Sequence, residues 1–248
     1  MNIAAVKTEL IYPKQQSLLA VIDKSIPTLA ERTVVVISSK IVSLCEGNFV
    51  DPTTASKDEL IKQNAQFYLE RDTSKYKTIL TITKNSLMLA AGIDESNSAG
   101  TYVLWPKNPL ETAKDVYEHL VNKYKIANLG VIIVDSTSRP LRLGTIGTAI
   151  AHYGFSELHD YRGTKDLFDH TMTISRSNIA EGLASASILA MGEGIEQTPL
   201  AIITDIPFVT FGSQHFGSCY AEPTDAYKDD IYEPLWNSVD WKKGEDKL

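Results

Sequence analysis

The chain has 248 residues, 43 % of them hydrophobic and 22 % charged, and its 24 Lys and Arg stand against 31 Asp and Glu for a formal charge of −7. That balance excludes a nucleic-acid partner, which needs a clustered excess of cations to neutralise phosphates, and the composition excludes disorder for most of the chain. The longest apolar runs, residues 33–37 and 130–134, fall far short of the about 20 residues that span a bilayer, so no membrane partner is expected.

Residues 1–12 lack the basic start and apolar centre of a secretory signal, which points to a cytoplasmic protein. Residues 33–38 (TVVVIS) form a β-branched run with polar neighbours, the pattern of a strand buried on both faces. Residues 56–69 place Leu60, Ile61, Ala65 and Tyr68 at helical spacing behind a Ser56 and Glu59 capping box. In residues 77–91, Ile79, Thr81 and Thr83 alternate against Leu80 and Ile82, predicting one or two strands with a turn near Lys84-Asn85. A polar knot, residues 92–100, follows. Pro109 opens a helix over 109–125, along which Leu110, Ala113, Tyr117, Leu120, Val121 and Tyr124 share a face. After Asn128-Leu129-Gly130 breaks that helix, residues 131–134 read as a second buried strand running into Asp135. The small-residue segment 144–154 (GTIGTAIAHYG) suits a helix or turn packed close to another backbone or a ligand. Residues 178–191 predict a helix capped by Asn178 and Glu181, and 199–204 (PLAIIT) a last core strand. Beyond Pro207 the aromatic and acidic tail, with Trp236 and Trp241, reads as irregular. Together these elements give an α+β fold of mixed sheets with packed helices, in one domain over residues 1–248 or two interleaved subdomains.

Three polar knots each follow an apolar run: residues 38–46 (SSKIVSLCE), 91–97 (AGIDESN) and 135–147 (DSTSRPLRLGTIG). Their hydroxyls, carboxylates and cations suit one site for a phosphate-bearing ligand with a hard divalent cation. Asp94 and Asp135 offer oxygens to Mg²⁺ or Mn²⁺, Lys40 offers a point charge, and Arg139 and Arg142 offer planar forks. The GxxxxGK[ST] order of a P-loop is absent. Each residue also has a plainer reading. Asp94 with Ser96 and Asn97 makes a turn of short polar side chains, and Asp135 makes a helix cap. Lys40 is a solvated lysine, Arg139-Pro140 a restricted turn, Glu181 a cap and Glu193 a solvated loop acid. The histidines, among them His152, His159, His170 and His215, have no HExxH spacing, and Cys45 and Cys219 form neither a disulfide framework nor a CxxC knuckle.

Five strings stand in order: SSKIVSLCEGN from Ser38, AAGIDESN from Ala90, DSTSRPLRLGTIGTAIA from Asp135, DYRGTKDLFDH from Asp160 and LAMGEG from Leu189. This ordered set resembles the coenzyme F420-0 L-glutamate ligases, also called gamma-glutamyl ligases, over about residues 8–204. The resemblance implies an intertwined homodimer that uses GTP with Mg²⁺ or Mn²⁺, and K⁺ as a further ion. Its reaction joins the amino group of L-glutamate to a carboxylated cofactor acceptor, releasing GDP and phosphate. The acceptor so implied is coenzyme F420-0, with a folate as the alternative.

Motif by motif, Asp94 and Asp135 fall on metal-ligand positions, with Ser136 and Glu193 as further candidates. Ser39, Lys40, Asn97, Met191 and Gly192 fall on nucleotide-contact positions, as does the Leu10-Ile11 stretch. Asp94, Asp135 and Arg139 make up the catalytic set, whereas Arg142, Arg162 and Asp166 match motif positions without an assigned role. The chain departs from the family pattern at four places. Leu44 stands where a second lysine is usual, Asn48 where an arginine is, Ser138 in place of the glycine before Arg139, and Asp169-His170 in place of Gly-Arg. A non-catalytic nucleotide-binding relative is the alternative those departures suggest. If the chain turns helically after Ser39, Lys40 and Leu44 share a face toward the phosphates; if it extends, Leu44 is a core residue.

Overall fold

The computed structural model describes residues 1–220 and 232–248. Its first half runs β1 (Asn2–Val6), α1 (Leu18–Ser25), β2 (Thr33–Ser38), α2 (Ser39–Glu46), β3 (Phe49–Val50), α3 (Lys57–Asn64), β4 (Phe67–Tyr68), β5 (Leu80–Thr83), β6 (Ser86–Leu89) and β7 (Tyr102–Val103). There follow α4 (Pro109–Tyr124), β8 (Leu129–Ser138), β9 (Thr145–Phe155), β10 (Leu158–Asp160), β11 (Arg176–Asn178), α5 (Ile179–Met191), β12 (Leu200–Thr204), β13 (Phe211–Ser218) and β14 (Lys242–Lys243).

The main sheet has the order β1-β12-β2-β8-β9-β13. Strands β2 and β8 are parallel, and the neighbouring pairs are antiparallel. The apolar runs of β2 and β8 follow from their place in the middle of this sheet, where both faces are covered. Val35, Ile37, Val131 and Ile133 pack with α1, α2 and α4 on one side, through Ile22, Val42, Val116 and Leu120. Val34, Val36, Ile132 and Val134 point the other way, onto Leu183 and Ala184 of α5. Each such buried side chain contributes about 1.5–3 kcal/mol. A smaller sheet, β14-β4-β5-β6, packs with α3 around Leu60, Ile61, Ile79 and Ile93. The expected α+β fold with mixed sheets is present, and no helix among the described residues is long and apolar enough to cross a membrane.

Several expectations need correction. The helix expected over 56–69 stops at Asn64, because Gln66 already donates to the Ile82 carbonyl and Phe67 pairs with Ile82 in the β4–β5 ladder. Ser56 occupies the N-cap position without a capping bond from its side chain. Strand β8 continues past Asp135 to Ser138 because β9 pairs with it there, so segment 144–154 is a strand and not a helix or turn. Its small residues still serve a close approach: a side chain on Gly147 would run into the Ala184 carbonyl of α5. The tail is not irregular throughout, since β13 adds a sixth strand to the sheet. Glycines and polar residues, FGSQHFGS, hide it from the usual alternation. Trp236 lies in a short helix, Glu233–Asn237, and accepts a bond from the Trp241 indole at 3.1 Å. Residues 221–231 of that tail lie outside the described residues.

Candidate active site

The C-terminal ends of the parallel pair create the site. Ser38 and Val134 are in register, so the residues that follow, Lys40 in the first turn of α2 and Asp135 on β8, emerge beside each other. Crevices at the carboxyl ends of parallel strands are where open sheets hold ligands. Here the crevice has a volume of about 330 Å³.

Asp94 reaches the crevice from a tightly wound turn. Ala90, Ala91 and Gly92 all have positive φ, at 55°, 51° and 72°, a conformation that costs a side-chain-bearing residue about 1–2 kcal/mol. Two bonds hold the turn: Ala90 N–H donates to the Ile79 carbonyl at 2.9 Å, and Ala91 N–H donates to the Thr81 hydroxyl at 3.0 Å. A two-way backbone bridge to Val103 then fixes Asp94. Its carboxylate accepts from Ser96 N–H at 2.7 Å, the turn that short polar residues predict, and pairs with the Lys40 ammonium at 2.7 Å. Lys40 also donates to the Ser96 carbonyl at 2.9 Å. Burial would raise the Asp94 carboxyl, but the bonds from Lys40 and Ser96 outweigh it and hold the group below the usual carboxylate range.

Asp135 is treated in the opposite way. Burial is the largest influence on its carboxyl and, with the nearby Asp94 charge, pushes it up to about 6 against the pull of Trp105, Ser136 and Lys40. One oxygen accepts from Ser136 N–H at 2.8 Å and the other from the Trp105 indole N–H. Trp105 is 2 % exposed and stacks with Tyr220. Gly92 makes room for it, since a Cβ there would lie 2.5 Å from the indole nitrogen. Sequence reading missed Trp105 altogether; nothing local in YVLWPKN marks it, and the spacing from Gly92 gives no periodic signal.

The crevice also gathers Leu10, Ile11, Asn97, Ser136, Met191, Gly192 and Glu193. Asn97 donates to the Gly194 carbonyl at 3.0 Å and ties two rim loops, and Ser136 donates to Glu193 at 3.1 Å. Glu9, Glu196 and Gln197 line it as well and were not singled out from sequence. Ser39 is buried behind the wall. Arg139 faces away, in an ion pair with Glu181 at 2.8 Å. Glu181 is no cap: Asn178 alone caps α5, and the Glu181 carboxylate accepts from Thr148 at 2.9 Å and from Ala149 N–H at 3.2 Å. Arg142 bonds the neighbouring Leu141 carbonyl, and Arg162 pairs with Asp160 at 2.6 Å on the β10–β11 arm, where Asp166 closes a turn. Leu44 lies in helix α2, four residues after Lys40, and is 2 % exposed in the crevice wall. Asn48 donates to the Trp105 carbonyl at 2.6 Å.

The donor set fits a hard divalent cation shared with phosphate. Among the described residues no three Asp, Glu, His or Cys close into a cage, but Mg²⁺ is commonly held by one or two carboxylates, completing its shell with phosphate oxygens and water. Asp94 and Asp135, with the Ser136 hydroxyl, supply that partial set, and burial, joined by the Asp94 charge, raises the Asp135 carboxyl.

A model of the family described as F420-0:Gamma-glutamyl ligase matches residues 5–205. The chain is 32 % identical over 197 residues to the coenzyme F420:L-glutamate ligase of Methanocaldococcus jannaschii, covering 71 % of this chain and 77 % of that one. It is 32 % identical over 222 residues to the protein of the same name from Methanococcus maripaludis, covering 84 % and 89 %. With the one from Methanosarcina acetivorans it shares 31 % over 195 residues, covering 73 % and 76 %.

Proposed function

The chain belongs to the F420-0:gamma-glutamyl ligase family, and from that premise we propose that it is a ligase forming an amide between the amino group of L-glutamate and a carboxylated cofactor, with coenzyme F420-0 as acceptor, GTP as the phosphoryl donor and Mg²⁺ or Mn²⁺ as the metal. The observation that carries this reading is the meeting of Lys40, Asp94 and Asp135 in one crevice at the end of the parallel pair.

The chemistry needs such a site. A carboxylate is a poor electrophile, so an acceptor oxygen first attacks the γ-phosphorus and GDP leaves. The glutamate ammonium gives one proton to solvent, and its free amine attacks the acyl carbon. Phosphate leaves with the electrons of the C–O bond, and the second proton passes to solvent as the amide forms. A bound divalent cation would neutralise charge on the transferring phosphoryl group. Asp94, Asp135 and Ser136 would hold it, with Glu193 beside Ser136. Lys40 offers a charge to the phosphates, and Met191, Gly192 and Asn97 shape the nucleotide wall, with Leu10 and Ile11 at its edge. Arg139 has no direct part in this account, because Glu181 holds it. Potassium has no distinct seat among the groups described.

We also infer a homodimer. The arm between β10 and β11 holds Leu167, Phe168 and Ile174 at 98 %, 79 % and 83 % exposure, apolar side chains gathered on one arm that suit a protein–protein contact. Light scattering should give twice 27.4 kDa at micromolar concentration; the mass of one chain contradicts the dimer.

The function is tested with GTP, Mn²⁺, labelled glutamate and a panel of deazaflavin and folate acceptors. A glutamylated deazaflavin is the expected product. Product only from folates moves the acceptor, and product from none, with nucleotide still bound, favours a non-catalytic relative.

A further inference from the structure

One oxygen of Asp135 is aimed by the Trp105 indole. The main chain of Trp105 is fixed, since its carbonyl accepts from the Asn48 amide at 2.6 Å. That alone does not set where the indole N–H points, because the second side-chain torsion of a tryptophan has a broad, roughly two-fold preference. A site held to within about 0.5 Å needs supporting side chains whose own rotamers are locked by packing. The ring of Tyr220 is the packing partner, 6.1 Å from the indole between centroids and 16° from parallel, inside the range of favourable aromatic pairs.

Tyr220 is itself anchored on both halves of the molecule. Its hydroxyl donates to the Pro106 carbonyl at 2.6 Å, one residue beyond the indole, and its backbone N–H donates to the Ser218 hydroxyl at 3.1 Å. Strand β9 is bulged alongside: Ile133 pairs with Ala151 and Val134 with Ala149, leaving Ile150 without a counterpart on β8. Bulges re-aim the chain, and here the Ile150 carbonyl accepts from the Ser218 hydroxyl at 3.0 Å and from Cys219 N–H at 2.9 Å. The turn between β5 and β6 adds two contacts from the smaller sheet. The Asn85 amide donates to the Cys219 carbonyl at 2.9 Å, and the Lys84 ammonium lies 5.7 Å from the Tyr220 ring centroid. The same β5 supplies Thr81, which holds the turn before Asp94. Tyr220 thus stands where the scaffolds of both acids are fastened together, past residue 205, where the family match ends.

We propose that Tyr220 is a positioning residue for Asp135: acting through Trp105, its ring keeps the indole N–H on the carboxylate that would hold the metal. The part played by the metal rests on the ligase reading above.

The test follows the Trp105 indole N–H by NMR, one of three tryptophan signals in the labelled protein, identified by its loss in Trp105→Phe. In Tyr220→Leu, which removes the ring, that signal should move, and Mn²⁺ affinity by electron paramagnetic resonance should weaken about fivefold, the scale of one aromatic pair. In the Trp105→Phe background the same change should weaken Mn²⁺ binding no further, the mark of a residue that acts through Trp105. Tyr220→Phe keeps the ring and should restore the parent's affinity. Because losing the ring can unfold the chain, Tyr220→His is the second arm, and its smaller ring should give an intermediate shift and an intermediate loss. In a parent that binds Mn²⁺, an unmoved indole signal or parental affinity in either folded variant overturns the proposal, as does an equal further loss in the Trp105→Phe background. A parent that binds no Mn²⁺ overturns the metal reading instead, and the indole signal alone then decides whether Tyr220 positions Trp105.

Discussion

The strand that carries Asp135 and the turn that carries Asp94 meet at one crevice but are built in opposite ways. Asp135 sits on β8, laddered to β2 and β9 on either side, and its backbone is unstrained. Asp94 follows three residues with positive φ, held down by bonds to Ile79 and Thr81. The chemistry divides the same way: Asp94 has a cation and stays ionised, whereas Asp135, facing an indole, is pushed up to about 6. Two acids of one type thus acquire different properties from their scaffolds, and a divalent cation would satisfy the one that lacks a counter-charge.

The largest expected effect is at the strand. Asp135→Asn keeps the shape and removes the charge, so turnover should fall by on the order of 10³-fold, the equivalent of several kcal/mol of metal-assisted barrier lowering, with the fold intact by circular dichroism. Wild-type turnover with unchanged metal dependence would reduce Asp135 to a structural acid. The same variant carries a pH signature in metal-free protein. A carboxyl whose folded pKa of about 6 exceeds its ordinary 3.8 binds more protons folded than unfolded between those values, so its contribution to stability is lost as pH rises from about 4 to about 6. Melting curves across that window should fall less steeply with pH in Asp135→Asn than in the parent protein; parallel curves would refute the shift.

At the turn, Gly92→Ala should cost about 2–4 kcal/mol in urea unfolding, combining the positive φ with a methyl group driven into Trp105. A loss below 0.5 kcal/mol would show that the turn relaxes freely. Trp105→Phe joins the two regions: it keeps an aromatic against Tyr220 but removes the donor to Asp135. Mn²⁺ affinity by electron paramagnetic resonance should weaken about tenfold, the scale of one hydrogen bond to a charged group; unchanged affinity would make Trp105 a packing residue only.

The smallest effect concerns the wall between them. Leu44 follows Lys40 on one helical face, as the spacing predicts, yet it is almost fully buried. In Leu44→Lys the stem should stay in the wall with the ammonium extended into the crevice. GTP binding by calorimetry should then tighten severalfold, with melting lowered by a few degrees; lower melting without tighter binding would place residue 44 in the core and off the phosphate path.

Much of this was legible in sequence because it depends on local pattern. The β-branched runs at 33–38 and 131–134 are apolar on both sides for the reason found, burial between helices, and the turn at Lys84-Asn85 appears with both residues at positive φ. Two of the polar knots converge because β2 and β8 end side by side, and the turn after β6 brings the third to them from the smaller sheet. What escaped the sequence depends on partners distant in the chain. Strand β13 is recognisable only by its pairing with β9, Glu181 looks like a cap until Arg139 and Thr148 are brought to it, and Trp105 matters only because Gly92 and Asp135 lie against it.

GDP release measured with each substrate withheld in turn shows whether one crevice couples phosphoryl transfer to amide formation. Rapid, metal-dependent GDP formation should require the acceptor and proceed to stoichiometric amide only with glutamate present. GDP released at the same rate without any acceptor, or no GDP released with every substrate supplied, would contradict that coupling.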